Sequence, residues 1–153
     1  MYSYFAFRSL VLLLVSIEKY PLSLDLVNQL NYGRILGQQQ EFTKIHTTKW
    51  GIAVDIKEGF TLKKVKADFR EYQNSSTFDI IYFDAFAPSR QPELWQLEIL
   101  QQCYNLLVPN GILVTYSAKG QFKRDLKSIG FEIESPPGPP GKFEITRATK
   151  VDI

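Results

Sequence analysis

The sequence predicts a layered α/β fold, a sheet with helices on both faces that ends in an antiparallel strand pair. Three observations carry this. Apolar runs of strand length recur at "LVLLLV" (10–15), "FDIIYF" (78–83) and "ILVTY" (112–116). Helical spacing marks Leu97, Leu100, Cys103, Tyr104 and Leu107, and again Phe122, Leu126 and Ile129. At the end of the chain "FEIES" and "KFEIT" flank "PPGPPG", and a link that short suits only antiparallel neighbours.

In chain order, Val11 to Glu18 reads as a strand. Arg8 precedes its apolar run, but the run is too short to cross a bilayer and no small-residue cleavage pattern follows it, so a buried parallel strand is expected. "SLDLVNQLNYG" then places Leu24, Val27 and Leu30 on one helical face before Gly33. "GQQQEF" reads as a polar link. Gly51 to Ile56 and Phe60 to Lys66 read as two strands joined by the turn "KEGF". "ADFREYQNSSTF" reads as a short helix and loop. Phe78 to Phe83 has the continuous apolar character of a strand covered on both faces. Pro92 suits the first turn of the next helix, which "VPNG" breaks, and Gly130 closes the last helix.

With 153 residues, 44% of them hydrophobic and 14% aromatic, the chain can bury one sizeable core and is expected to form a single domain over residues 1–153. Disorder is a poor description of it. A formal net charge of +2 permits contact with a polyanion without demanding it. A single cysteine, Cys103, excludes an intramolecular disulfide and any cysteine-rich zinc site, and His46 is the lone histidine, so no metal is expected and a reducing cytoplasm is the natural compartment. Cys103 reads most simply as core.

In open α/β sheets ligands bind beyond the carboxyl ends of the strands. Function is therefore sought at Glu18, at Asp68 after "KVKA", at Asp84, and at Tyr116 with "SAKG". Glu18 suits an acceptor for ribose hydroxyls, or is a solvated acid beside Lys19. Asp68 suits an acceptor for an adenine amino group, or is the cap of the helix beginning "FREY". Asp84 leaves an apolar strand, where a carboxylate can accept from an amine and orient its lone pair; the alternative is an Asx turn into "AFAP". Pro88 and Pro92 stiffen that loop. Phe86 and Trp95 either wall a pocket for a flat base or belong to the core.

The segments "VSIEKYPL", "VKADFRE", "FDIIYFDAFAPSRQPELW", "LLVPNGILVTYSAKGQFKRDLKSIGFEIE" and "PGPPGKFEI" occur in this order. Together they resemble the MnmC-like methyltransferase domain of bacterial tRNA-modifying enzymes, from about Val15 to the end. The resemblance implies a Rossmann-like, S-adenosylmethionine-dependent methyltransferase that methylates the aminomethyl group of a wobble uridine in tRNA. By it, Glu18 would bind the cofactor ribose, Asp68 the adenine, and Asp84 the substrate amine. Phe86, Pro88 and Trp95 would shape the pocket, with Tyr116 and Lys142 at its rim. Lys119, Lys123, Arg124 and Lys127 form a cationic stretch that either meets RNA phosphates or is the solvated face of an amphipathic helix.

The chain departs from the family pattern in one place. A first strand and glycine-rich loop are expected before "VSIEKYPL", yet the first glycine is Gly33. The sequence thus reads as an N-terminally truncated member that keeps the substrate side of the chemistry and lacks part of the cofactor side, inactive in the extreme case. The alternative function is a non-catalytic RNA-binding or interaction remnant; a third is methylation of another small amine. Many relatives add a flavin-dependent oxidoreductase domain, for which this chain has no room, so flavin is not expected here and that step would fall to a separate protein. No membrane association is expected.

Overall fold

A computed structural model of the chain describes residues 11–141 and 143–151. The chain divides into two compact units, Met1–Tyr72 and Gln73–Ile153, each with its own sheet.

The first unit contains β1 (Leu12–Glu18), three short helices α1 (Leu24–Val27), α2 (Tyr32–Ile35) and α3 (Gln39–Thr47), then β2 (Ala53–Lys57) and β3 (Phe60–Lys66). Its sheet order is β1-β3-β2. β1 runs parallel to β3 with Glu18 opposite Lys66, and β2 is antiparallel to β3. Parallel pairing brings both carboxyl ends to the same sheet edge, which is why Glu18 and Asp68 leave from one side. The turn between β2 and β3 falls at the "KEGF" that the sequence marks.

Three expectations change here. Among the described residues β1 is an edge strand, and Leu12, Leu13 and Leu14 are exposed rather than buried. The link around "GQQQEF" opens α3 instead. Its glutamines are good helix formers but give no apolar period, and the helix rests on half-buried Phe42, Ile45 and His46. The phenyl and imidazole rings of Phe42 and His46 lie 4.6 Å apart. The helix expected from Leu24 to Leu30 is shorter, capped by Ser23 and ending at Val27, its one buried residue. Lys64 is buried on β3, where its Nζ donates to the His46 carbonyl at 2.8 Å and lies 4.9 Å from the Trp50 ring centroid. Its burial lowers its pKa.

The second unit contains β4 (Phe78–Tyr82), α4 (Leu97–Leu106), β5 (Leu107–Thr115), α5 (Gly120–Ile129), β6 (Phe131–Glu134) and β7 (Thr146–Lys150). The sheet order is β4-β5-β7-β6, with β4 parallel to β5 and the other two pairings antiparallel. The closing antiparallel pair is thus present, although its second strand is "TRATK" and begins where "KFEIT" ends. Leu100, Cys103, Leu107, Leu113, Leu126 and Ala148 are fully buried and form the core. Leu107, expected on the helix, instead opens β5, where it pairs with Phe78 of β4; "VPNG" lies within that strand, and Leu97 is exposed. Gly130 closes α5 with φ at 114°, a left-handed conformation that glycine adopts without steric cost. Lys150 Nζ donates to the carbonyls of Tyr104 and Leu107, at 3.0 and 2.8 Å, and so ties β7 to the last turn of α4 and the first residue of β5.

β4 is not covered on both faces. Among the described residues it is the edge of its sheet, with Ile80 and Tyr82 exposed.

Candidate functional site

On the first unit, β1 delivers Glu18 and the residue pair after β3 delivers Asp68. Glu18 is exposed, and its Oε1 accepts from the Tyr20 N–H at 2.8 Å. Asp68 is held differently. Its Oδ1 accepts from the Arg70 N–H at 3.0 Å, capping the 3-10 turn Phe69–Glu71. Arg70 also grips it through the guanidinium, with Nη2 at 2.5 Å from Oδ2, and Lys19 Nζ stands 2.8 Å from the same oxygen. The Asp68 side chain is only 9% exposed. The Arg70 side chain first, and Lys19 next, hold its carboxyl well below the usual carboxylate range, while Asp68 in turn raises the Lys19 pKa.

These contacts test how S-adenosylmethionine fits. Glu18 fits an acceptor for ribose hydroxyls, because its carboxylate is exposed and carries one backbone hydrogen bond. Asp68 as arranged does not fit a free acceptor for an adenine amino group, since two cations and a backbone amide occupy its oxygens.

On the second unit, β4 ends one residue before Phe83, whose N–H still donates to the Val114 carbonyl at 2.8 Å. Asp84 follows and is exposed, so the poorly hydrated setting that its apolar strand suggests is not what surrounds it. The next residues are pinned. Tyr116 Oη donates to the Ala85 carbonyl at 2.8 Å, the Phe86 N–H donates to Gln91 Oε1 at 3.2 Å, and Trp95 Nε1 donates to the Phe86 carbonyl at 2.8 Å. Ala87 accepts from the N–H groups of Arg90 and Gln91, which closes the turn. The Phe86 ring stays 76% exposed, and Pro88 is half-buried.

Trp95 stands in the core. It is buried and meets Phe83, Phe122 and Tyr116 edge to face, at centroid distances of 5.2, 5.0 and 6.2 Å. Of the aromatic residues singled out in the sequence, Phe86 alone presents an open ring. Tyr116 is half-buried with its hydroxyl turned onto the Asp84 loop. Lys142 lies outside the described residues. Gln91 is not among the residues that the sequence singles out; Pro92 after it, which disfavours a helical backbone at the preceding residue, is the sign that the sequence carries.

The four cations of the basic stretch separate. Lys119 and Lys127 are exposed and have no ion pair among the described residues. Arg124 is exposed and donates to Gln121 Oε1 at 2.7 Å. Lys123 is drawn inward: its Nζ lies 2.7 Å from both Ser135 Oγ and Glu144 Oε1. That contact, with the Pro137–Glu144 bridge, ties α5 to the proline-glycine loop, on which Phe143 is 94% exposed. Among the described residues no group of three or more His, Cys, Asp or Glu is placed to hold a metal ion, and no helix is long and apolar enough to cross a membrane.

The profile of a family described as S-adenosyl-L-methionine-dependent methyltransferase matches residues 24–151. Among curated proteins, the chain is 29% identical over 144 residues to the tRNA 5-methylaminomethyl-2-thiouridine biosynthesis bifunctional protein MnmC of Cupriavidus necator, covering 88% of this chain and 22% of that protein. It is 31% identical over 141 residues to the protein of the same name from Pseudomonas fluorescens, covering 87% of this chain and 21% of the relative. The chain therefore spans about a fifth of the length of the curated relatives it matches. Among solved structures, MNMC2 from Aquifex aeolicus shares the fold with a TM-score of 0.68 at 22% identity, over 92% of this chain and 45% of that one. The N-methyltransferase NodS from Bradyrhizobium japonicum WM9 does so with a TM-score of 0.52 at 14% identity, over 90% of this chain and 73% of that one. By the match over residues 24–151, this chain belongs to the S-adenosyl-L-methionine-dependent methyltransferase family as an MnmC-like domain.

Proposed function

We propose that the chain methylates the aminomethyl group of a wobble uridine in tRNA. The observation that carries this reading is Asp84, an exposed carboxylate at the carboxyl end of β4, followed by a hydrogen-bonded loop with the open ring of Phe86. S-adenosylmethionine, when bound, supplies the electrophilic methyl group. Asp84 accepts a hydrogen bond from the neutral amine and so directs the nitrogen lone pair. Phe86 offers a face on which a base turned out of its loop stacks. Glu18 takes the ribose hydroxyls, and Lys119, Arg124 and Lys127 meet phosphates. The amine comes from an earlier flavin-dependent step, and the reaction belongs to the cytoplasm, where tRNA is modified.

The engagement of Asp68 by Lys19 and Arg70 favours a second reading, an RNA-binding module that takes no cofactor. Calorimetric titration separates the two. Saturable S-adenosylmethionine binding that is lost in Glu18→Ala supports the methyltransferase; no binding with retained tRNA affinity supports the module. Comparing transfer to aminomethyl-bearing tRNA and to free small amines tests the substrate class.

A further inference from the structure

Among the described residues no hydrogen bond or ion pair holds the Asp84 carboxylate, yet both of its flanks are fixed. Upstream, the Phe83 N–H is held by Val114; downstream, the Ala85 carbonyl is held by Tyr116. The tightest control falls on Phe86, because both polar atoms of its backbone are taken by side chains rather than by a sheet or helix ladder. Gln91 Oε1 accepts from its N–H at 3.2 Å, and Trp95 Nε1 donates to its carbonyl at 2.8 Å. Trp95 is itself locked in the aromatic core. Gln91 is locked by its N–H donation to the Ala87 carbonyl at 3.0 Å and by Pro92 behind it.

We propose that Gln91 is a positioning residue, which with Trp95 clamps the Phe86 peptide and thereby fixes where the Asp84 carboxylate and the Phe86 ring are presented to an amine-bearing planar base. The role rests on the assignment of Asp84 above. An exposed loop without regular structure has no ladder to hold its shape, so an acid two residues from an unclamped peptide would sample many orientations. Because its oxygen accepts from the Phe86 N–H, the Gln91 amide is oriented with Nε2 as the remaining donor. Any side chain of that length with an acceptor oxygen preserves the clamp; an isosteric apolar one abolishes it.

The test uses the full chain, S-adenosylmethionine and an anticodon stem-loop bearing 5-aminomethyl-2-thiouridine. Gln91→Leu is expected to lower kcat roughly 10- to 100-fold, with the KM for RNA little changed, because misplacement affects the reacting geometry more than binding. Amide exchange at Phe86 accelerates in parallel. Gln91→Glu, which keeps the acceptor, restores most of kcat and the protection of that amide. Wild-type kcat in Gln91→Leu alongside an inactive Asp84→Asn overturns the positioning role and leaves the function standing. Equal loss in Gln91→Leu and Gln91→Glu also overturns it, since a merely structural requirement would not distinguish an acceptor. Undiminished transfer by Asp84→Asn, or no transfer by the wild-type chain, overturns the function and the positioning role with it.

Discussion

Lys19 and Asp68, which follow the parallel strands β1 and β3, close an ion pair of 2.8 Å, and Arg70 grips the same carboxylate. Parallel pairing of the strands sets this up, since it brings residues 49 apart in sequence to one sheet edge. An acid expected to serve a ligand is therefore also a fastening between two strand ends.

The pH dependence of that fastening has a definite sign. The folded pKa of Asp68 lies below its ordinary 3.8, so its stabilisation is present above that value and is lost as pH falls through the depressed one. Lys19 is raised above its ordinary 10.5, so its share is present below that value and is lost as pH rises through the raised one. Asp68→Asn should therefore lower the denaturation midpoint between about pH 4 and pH 10, and the difference from wild type should shrink at more acid pH. Urea melts at pH 7 and pH 2.5 check this.

Trp95 is expected to matter for stability first. Trp95→Ala removes the ring that joins Phe83, Phe122 and Tyr116, and should cost about 3–5 kcal/mol. Trp95→Phe keeps most of the packing and loses the donor to the Phe86 carbonyl, at about 1 kcal/mol. Equilibrium unfolding of both variants measures the separation.

Burial pushes the Cys103 thiol up to about 12, on a helix whose inward face is core. A thiol with so little thiolate reacts slowly. Iodoacetamide at pH 8 should leave the native chain unlabelled and modify it once urea unfolds it; rapid labelling of the native chain would contradict the packing.

Lys127 and Lys123 should behave differently despite lying on one helix. Lys127→Ala is expected to weaken tRNA binding and reduce its salt slope by about one, with stability unchanged. Lys123→Ala removes the contacts to Ser135 and Glu144, and should speed amide exchange across residues 136–145. Filter binding over a salt series and exchange mass spectrometry report the two effects.

The sequence alone determined the alternation of elements, because periodicity and punctuation are local. "KEGF" and Gly130 encode a turn and a stop through residues that the backbone conformation requires, whereas "VPNG" lies within β5 and the helix before it ends at Leu106; Leu100, Leu113 and Leu126 declare the core by their spacing. It also placed Glu18, Asp68 and Asp84 at strand ends. Tertiary structure decided what each of these can do. Apolar composition in "LVLLLV" and "FDIIYF" suits a covered strand, but coverage depends on neighbours, and among the described residues β1 and β4 are edge strands with exposed side chains. Asp68 meets Lys19 only when β1 and β3 pair, Trp95 becomes core only when Phe122 arrives from α5, and Lys123 leaves the solvent only when Glu144 reaches it. The local pattern carries propensity and hydrophobic period; the partners of a charge or a ring are distant in sequence, so only the folded chain supplies them.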